Sequence, residues 1–324
     1  MFPIPITVAN DGTDALVNAG EGHELQSNGH NEPVPEFTCN LCGATNSYSG
    51  KPMERETPGC STCGSNLRTR TLMYALSMEL FGIPLTLPDF PRVKSWRGMG
   101  TTDSSQYAVR LAEVFDYKNT FYDQPPRFDL AKASEAPNTY DFLLSSDVFE
   151  HVNPPIEQAF RNAFDLLKSD GLLLFTVPYE IDESAEHFPE LHEYGLADIG
   201  NRVVLVNRTP AGVTQVFENL NFHLSGAGPA LEMRVFSEPR LRKLLAGSGF
   251  ESVKIYSGTY RPFGIVPAES WSLPIAARKG PIPESTGSRD ALRDVAEEWR
   301  DLKARIARSP WCRIGRRLGT VKDF

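Results

Sequence analysis

The sequence predicts an α/β protein, a doubly wound and mostly parallel sheet with a small cysteine-bearing module ahead of it and a helical tail behind. Three observations predict this. Tyr140 to Ser145 and Leu172 to Val177 are short apolar runs with the length of buried strands. Between them Ile156, Ala159, Phe160, Ala163, Phe164 and Leu167 recur at helical spacing until Ser169-Asp170-Gly171 stops the helix. That makes a β-α-β crossover, and sheets built from such units bind ligands beyond the carboxyl ends of their strands. Finally, Cys39-x-x-Cys42 and Cys60-x-x-Cys63 hold four of the five cysteines within one short segment.

In chain order, residues 1 to 35 are rich in Asn, Gly, Glu and His without apolar periodicity and read as a disordered lead-in; His23 and His30 fall there. Residues 36 to 67 form the cysteine module and 68 to 280 the α/β body. The spacing predicts a helix over 68–81, ended by Gly82 and Pro84, then a strand over 92–96 leading into Gly98-Met99-Gly100. A helix over 104–115 with Ser104 as its cap follows, and a strand over 119–122. Residues 179 to 230 break the alternation. There Arg202 to Arg208 and Val213 to Phe217 flank Thr209-Pro-Ala-Gly212 as a β-hairpin, read as an insertion that lids the substrate site. A helix over 237–246, capped by Gly247 or Gly249, and strands over 251–256 and 273–278 close the body. Residues 281 to 324 form the helical tail, where Leu292, Val295, Trp299, Leu302 and Ile306 make a seam spaced 3, 4, 3 and 4. A seam of two heptads is too short to stand alone in water, so it packs on the body or joins a second copy.

Composition bounds the function. With 324 residues, 40% of them hydrophobic, the chain supports one substantial core and a small satellite. The formal net charge of −8 argues against a broad nucleic-acid surface. No apolar run is long enough to span a membrane, and Met1-Phe-Pro-Ile-Pro lacks a secretory pattern, so a cytoplasmic protein is expected. The tail is locally basic, with seven Lys/Arg against one Asp from Lys303 to Phe324, which suits an acidic partner or anionic lipid as well as a solvated end.

Each cysteine pair closes a tight turn followed by glycine, Gly43 or Gly64. Two such turns bring Cys39, Cys42, Cys60 and Cys63 to one tetrahedral sulfur site, and four thiolates leave no open position, so a structural zinc is expected. Two disulfides or a redox pair are the alternatives, disfavoured in a cytosolic setting and by the absence of a thioredoxin-like surround. Cys312 is left as a lone thiol.

The stretch DFLLSSDVFEHV…AFRNAFDLLKSDGLLLFTVPY resembles the second half of a class I S-adenosylmethionine-dependent methyltransferase, methyltransferase type 11-like: fourth strand, acidic-His segment, helix ending L-L-K-x-x-G, and fifth strand ending in Pro. The resemblance covers roughly residues 90 to 180 and more loosely 231 to 280. It implies a seven-stranded Rossmann-like sheet and S-adenosylmethionine as cofactor. The Gly-rich turn becomes Gly98-Met99-Gly100-Thr-Thr-Asp103, departing from the family at Trp96, where an acidic residue is usual, and at Thr102, where a third glycine is. Asp103 is the candidate substitute for the missing carboxylate. Asp123 is the candidate for the ribose and Asp129 for the adenine, although each is also an ordinary turn carboxylate, and Ser146 and Asp147 end the fourth strand at the cofactor.

His151 beside the expected methyl donor is a candidate general base, or else a helix cap. Asp147, Glu150 and His151 resemble the D/E-x-x-E-H segment of ubiquinone-type O-methyltransferases, which implies a divalent cation near Glu150 and His151. In the insertion, His187 and His192 lie among Glu186, Glu190 and Glu193, where they read a polar acceptor, bind a second metal or simply bond at the surface. His223, near Gly226 and Gly228, is the second catalytic candidate. The leading reading is methyl transfer to a hydroxyl of a small-molecule or carbohydrate acceptor, since some sugar-modifying methyltransferases also carry an N-terminal four-cysteine site. An RNA methyltransferase gripping RNA with Lys51, Arg55, Arg68 and Arg70, and a catalytically degenerate binding module, are the alternatives.

Overall fold

The structure, a computed structural model, describes residues 35–132, 134–180, 184–225, 228–280 and 287–309. The lead-in with His23 and His30, Gly226, and the basic end with Cys312 lie outside these. The sheet strands are β1 (Val93–Thr101), β2 (Phe115–Thr120), β3 (Tyr140–Ser146), β4 (Leu167–Thr176), β5 (Ser252–Ile255) and β6 (Ile275–Arg278), in spatial order β5-β6-β4-β3-β1-β2. β2, β1, β3 and β4 pair in parallel, β6 runs antiparallel to β4, and β5 antiparallel to β6. Parallel strands need both faces covered, and their near-continuous apolar runs, such as Phe142 to Leu144 and Leu172 to Phe175, are buried throughout.

The helices are α1 (Leu67–Phe81), α2 (Ser105–Val114), α3 (Ile156–Leu166), α4 (Glu238–Ser248) and α5 (Gly287–Arg308). Their ends follow local chemistry. The Asn66 side chain accepts from Thr69 N and caps α1, and Gly82 (φ 75°) ends it in the left-handed region. Ser104 and Ser237 cap α2 and α4. α3 buries Ile156, Ala159, Phe160 and Ala163 against the sheet.

The expected helix-to-strand passage after α3 is tighter than its sequence suggests. β4 already begins at Leu167, paired with Tyr140, and a register shift follows before Phe142 meets Leu172. The sheet holds six strands among the described residues rather than seven. Between β2 and β3 the chain makes an isolated bridge, Phe121 to Arg127, and a 3-10 turn, Leu130–Lys132. Pro125 and Pro126 lie within that bridge and lack the N–H groups a strand must donate.

The expected insertion hairpin forms, Arg202–Arg208 against Thr214–Phe217, and gains a third strand, Glu193–Ile199. A second hairpin pairs Phe222–Ser225 with Gly228–Leu231. Strand Arg234–Ser237 returns the chain to the body between Tyr179–Glu180 and Ala185–Glu186. No described helix is long and apolar enough to cross a membrane.

The cysteine module is not a separate bead. Its hairpin (Glu36–Thr38 with Thr45–Ser47) carries Phe37, Cys39 and Leu41 into the same hydrophobic cluster as Leu72 and Leu76 of α1 and Phe142 of β3. Beneath it lies Arg70, fully buried, which donates to Ser65 O at 2.9 Å and stacks over Phe37. A side chain at Gly59 would collide with that guanidinium.

Candidate functional site

The sulfur atoms of Cys39 and Cys63 lie 3.7 Å apart and those of Cys42 and Cys60 3.6 Å. All four sulfurs fall within 4.8 Å of one another. A tetrahedron with metal–sulfur bonds of about 2.3 Å has edges of about 3.8 Å, so this donor set fits zinc, and the spacing is far longer than a disulfide. Gly43 (φ 81°) and Gly64 (φ 70°) adopt the left-handed turn each pair needs. Asn46 Nδ2 donates toward Cys60 Sγ at 3.4 Å, and Ser65 Oγ lies 3.2 Å from Cys39 Sγ.

Gly98, Met99 and Gly100 do not form the expected turn: they lie inside β1, paired with β2 on one side and β3 on the other, and the strand ends only at Thr101. A side chain at Gly98 would strike Phe142 and Tyr117, and one at Gly100 would strike Asp103 and the Tyr117 hydroxyl. Thr102 occupies the third-glycine position with φ 59°, a strained setting for a β-branched residue, and its N–H donates to Thr120 O at 2.7 Å. Trp96, partly buried, stacks on Phe81 and Phe115 at the edge of the core. Asp103 is buried and accepts from the Tyr107 hydroxyl at 2.9 Å and from Tyr117. Burial, opposed by those two hydroxyls and by Arg68, pushes its carboxyl up to about 6. Asp123 is exposed beyond β2, its carboxylate without a hydrogen bond among the described residues. Asp129 accepts from Ala131 N at 2.9 Å and so stabilises its own turn.

Ser146 and Asp147 are held by two arginines that sequence reasoning did not assign to the site. Arg55, from the loop between the cysteine pairs, donates Nη2 to both Asp147 carboxylate oxygens at 2.7 and 2.8 Å. Arg68, at the start of α1, donates to Ser146 Oγ at 2.8 Å. Thr176, ending β4, donates to Asp147 at 2.8 Å. Asp147 has φ 54°. Burial works against its charge, but the Arg55 and Arg68 charges outweigh that and hold its carboxyl below the ordinary value. The basic residues that motivated an RNA-gripping face therefore turn inward: Arg55, Arg68 and Arg70 are all spent on internal contacts, and Lys51 alone is exposed.

After β3, Phe149–His151 forms one 3-10 turn. Buried Arg234, returning from the insertion, donates to Phe149 O at 2.9 Å and Val152 O at 2.6 Å and so pins that turn. Met233 N donates to Glu150 O at 2.8 Å. The insertion thereby brings His223 to His151, with ring centroids 5.1 Å apart. His151 Nδ1 donates to Leu231 O at 2.8 Å, which leaves Nε2 as the bare nitrogen, 3.7 Å from Glu150. Burial pulls the His151 pKa down, toward the neutral ring.

His223 Nε2 and His187 Nε2 meet the two oxygens of Glu232 at 2.7 and 2.9 Å, and Asn221 donates to the same carboxylate at 2.9 Å. Burial opposes the Glu232 charge, but these bonds and the histidines outweigh it and hold its carboxyl below the ordinary range. Glu150 is fully buried, and neither carboxylate oxygen has a hydrogen-bond partner. Burial and the nearby Asp147 charge push its pKa well above the usual value. Glu150, His151 and His223 each offer a ligand atom within 4.8 Å of the others. His192 stays outside this cluster; its backbone N–H donates to Asn207.

Sequence reasoning missed Arg55, Arg68, Glu232 and Arg234. Only Glu232 and Arg234, two charged residues inside the run Leu231-Glu-Met-Arg-Val-Phe236, carried a local signal.

A mostly parallel sheet in this strand order, with Gly98 and Gly100 inside β1 and an acidic residue just past the end of β3, fits the Rossmann-like fold of class I S-adenosylmethionine-dependent methyltransferases. Residues 96–255 match the family model described as a methyltransferase domain. No curated protein sequence matches the chain. Among solved structures, the 1,6-didemethyltoxoflavin-N1-methyltransferase of Burkholderia thailandensis is 15% identical, covering 66% of this chain and 78% of its own, with a TM-score of 0.35. The amino pentose methyltransferase CalS10 of Micromonospora echinaspora is 12% identical, covering 67% and 92%, with a TM-score of 0.36. A methyltransferase from Mesorhizobium loti is 14% identical, covering 58% and 93%, with a TM-score of 0.34. Such loose likenesses carry no argument about the acceptor.

Proposed function

We propose that this chain methylates a hydroxyl of a small polar acceptor, a carbohydrate or nucleotide-sugar class of molecule, in the cytoplasm. The observation that carries the reading is the His223–Glu232 pair beside His151, on the turn that follows β3, where the cofactor would bind. S-adenosylmethionine supplies an electrophilic methyl on a sulfonium. Asp123 would accept from its ribose, the Gly98-to-Asp103 segment would back its methionine end, and Ser146 and Asp147 would border it.

Methyl transfer is an in-line displacement, so the protein mainly aligns the acceptor oxygen and excludes water. With Nε2–H donated to Glu232, His223 keeps Nδ1 free to take the acceptor proton, and the Glu232 carboxylate stabilises the imidazolium that results. His151, neutral and fixed by Leu231 O, orients the acceptor with its bare Nε2. His187 holds Glu232 from its other side.

One metal belongs to the same reading. Cys39, Cys42, Cys60 and Cys63 would hold a structural zinc. A divalent cation on Glu150, His151 and His223 would be a competing use of the same nitrogens: it would give the two unpartnered oxygens of Glu150 a partner and would orient the acceptor, with His223 Nδ1 as a ligand in place of the base.

The test is calorimetric titration with S-adenosylmethionine and S-adenosylhomocysteine, with Asp123→Ala as control, followed by mass spectrometry of a panel of sugars and nucleotide sugars. Micromolar cofactor binding lost in Asp123→Ala, and a product heavier by one methyl in place of one hydrogen, is the expected result. Cofactor binding without turnover on any hydroxylated acceptor, with turnover on amines or RNA, would overturn the acceptor assignment.

A further inference from the structure

The apolar seam of α5, described for all but the Leu292 side chain, keeps much of its surface exposed. Val295, Trp299, Leu302 and Ile306 are 55%, 45%, 38% and 40% exposed. What ties this helix down is beside the seam: Lys303 donates to Asp89 at 2.5 Å and lies over the Trp299 ring, and α5 runs against α1 and the 3-10 turn Leu87–Asp89. The helix is thus fixed in place with its apolar stripe turned outward. Glu298 and Arg305 border the stripe seven residues apart, line the same shallow hollow as Trp299 and Leu302, and form no ion pair among the described residues.

We propose that this stripe is a homodimer contact in which α5 pairs antiparallel with α5 of a second copy. The charges choose the orientation. With Trp299 against the partner's Leu302 and Val295 against the partner's Ile306, Glu298 faces the partner's Arg305, and the twofold axis repeats the pair in reverse. A parallel pairing would instead set Glu298 against the partner's Lys303, a residue already engaged by Asp89. The interface is self-complementary in apolar layers and in charge, which an isologous dimer requires. A contact of two heptads belongs to the weak, reversible class. Its helix is pre-ordered by the body, which removes the nucleation cost that defeats short free helices.

The test is sedimentation velocity of the full chain from about 1 to about 100 µM, a range suited to weak dimers. The expected result is a concentration-dependent dimer. Glu298→Arg or Arg305→Glu alone breaks two pairs and weakens it about tenfold, whereas the Glu298→Arg/Arg305→Glu double variant restores it. Trp299→Glu weakens it by more than about thirtyfold, because it buries a charge at the centre of the contact. Unchanged thermal melting of each variant verifies the fold, since all three positions are exposed. A wild-type chain that stays monomeric across the range overturns the proposal. A dimer indifferent to Trp299→Glu overturns the surface, and a double variant that fails to recover overturns the antiparallel orientation.

Discussion

Arg55 and Asp147 are 92 residues apart in sequence and joined by two hydrogen bonds from one guanidinium nitrogen, at 2.7 and 2.8 Å. Arg55 belongs to a loop tethered at both ends by cysteine pairs, and Asp147 follows directly on Ser146, the last residue of β3. The link joins the loop of the cysteine module to the end of β3, where the proposed cofactor site lies.

Removing that link has a defined cost. Arg55→Ala leaves a mostly buried carboxylate with less positive charge, and should lower stability by about 2 kcal/mol at neutral pH. Because the Asp147 pKa is depressed, its contribution is full above the ordinary value of 3.8 and is lost as pH falls through the lower folded value. Urea midpoints of wild type and Arg55→Ala should therefore differ at pH 7 and converge in strong acid. A difference that persists there would show that the loss is one of packing.

Asp103 gives the opposite slope. Its folded pKa of about 6 lies above the ordinary 3.8, so the unfolded chain releases this proton first as pH rises. Stability from this group is full below pH 3.8 and declines until about pH 6, by about 3 kcal/mol. Asp103→Asn should flatten that decline, read from urea titrations at half-unit pH steps. An unchanged slope would reassign it to another group.

Purified protein should carry about one zinc per chain, measured by metal release to a colorimetric chelator. Cys60→Ser should lose the metal and expose Phe37 and Leu41, detected as dye binding and a lowered melting temperature. Metal-free protein with full thermal stability would argue for thiols without a metal role.

For catalysis, His223→Ala should reduce kcat by about 10²–10⁴ while leaving cofactor affinity within about twofold. Glu232→Gln should reduce it less, since the variant can keep a hydrogen bond to His223 but loses the charge that steadies the imidazolium formed during transfer. Loss of cofactor binding in either variant would instead assign the cluster to the cofactor pocket.

A cation at Glu150 is separable from turnover. Manganese or magnesium should raise the melting temperature of wild type and leave Glu150→Gln unmoved. Equal shifts in both would remove the cation from this site.

Much of the architecture was legible because burial on both faces writes continuous apolar runs into β3 and β4 and a helical period into α3. The four cysteines were legible because their spacing is local chemistry. The cleft was less so. Glycine spacing suggested a turn at Gly98 to Gly100, where the chain is still strand β1, and could not reveal that Asp103 and Tyr117 fill the room beside Gly100. His151 and His223 were singled out separately, and only the insertion's return through Arg234 brings them together. Arg55 read as a surface charge because its partner is distant in sequence. Long-range pairings leave no period or motif, and such pairings assemble most of this site.

The buried Arg70 carries a practical consequence for dissecting the molecule. Its guanidinium is closed in by Ser65, Phe37 and the carbonyl of Gly264, contributed by the module on one side and the end of the body on the other. Cutting the chain just before α1 to obtain a minimal enzyme would strip this cation of its enclosure and open Leu67, Phe263 and Ile265 to water. The shorter product would precipitate rather than turn over, and its silence would say nothing about whether the cysteine segment takes part in methyl transfer.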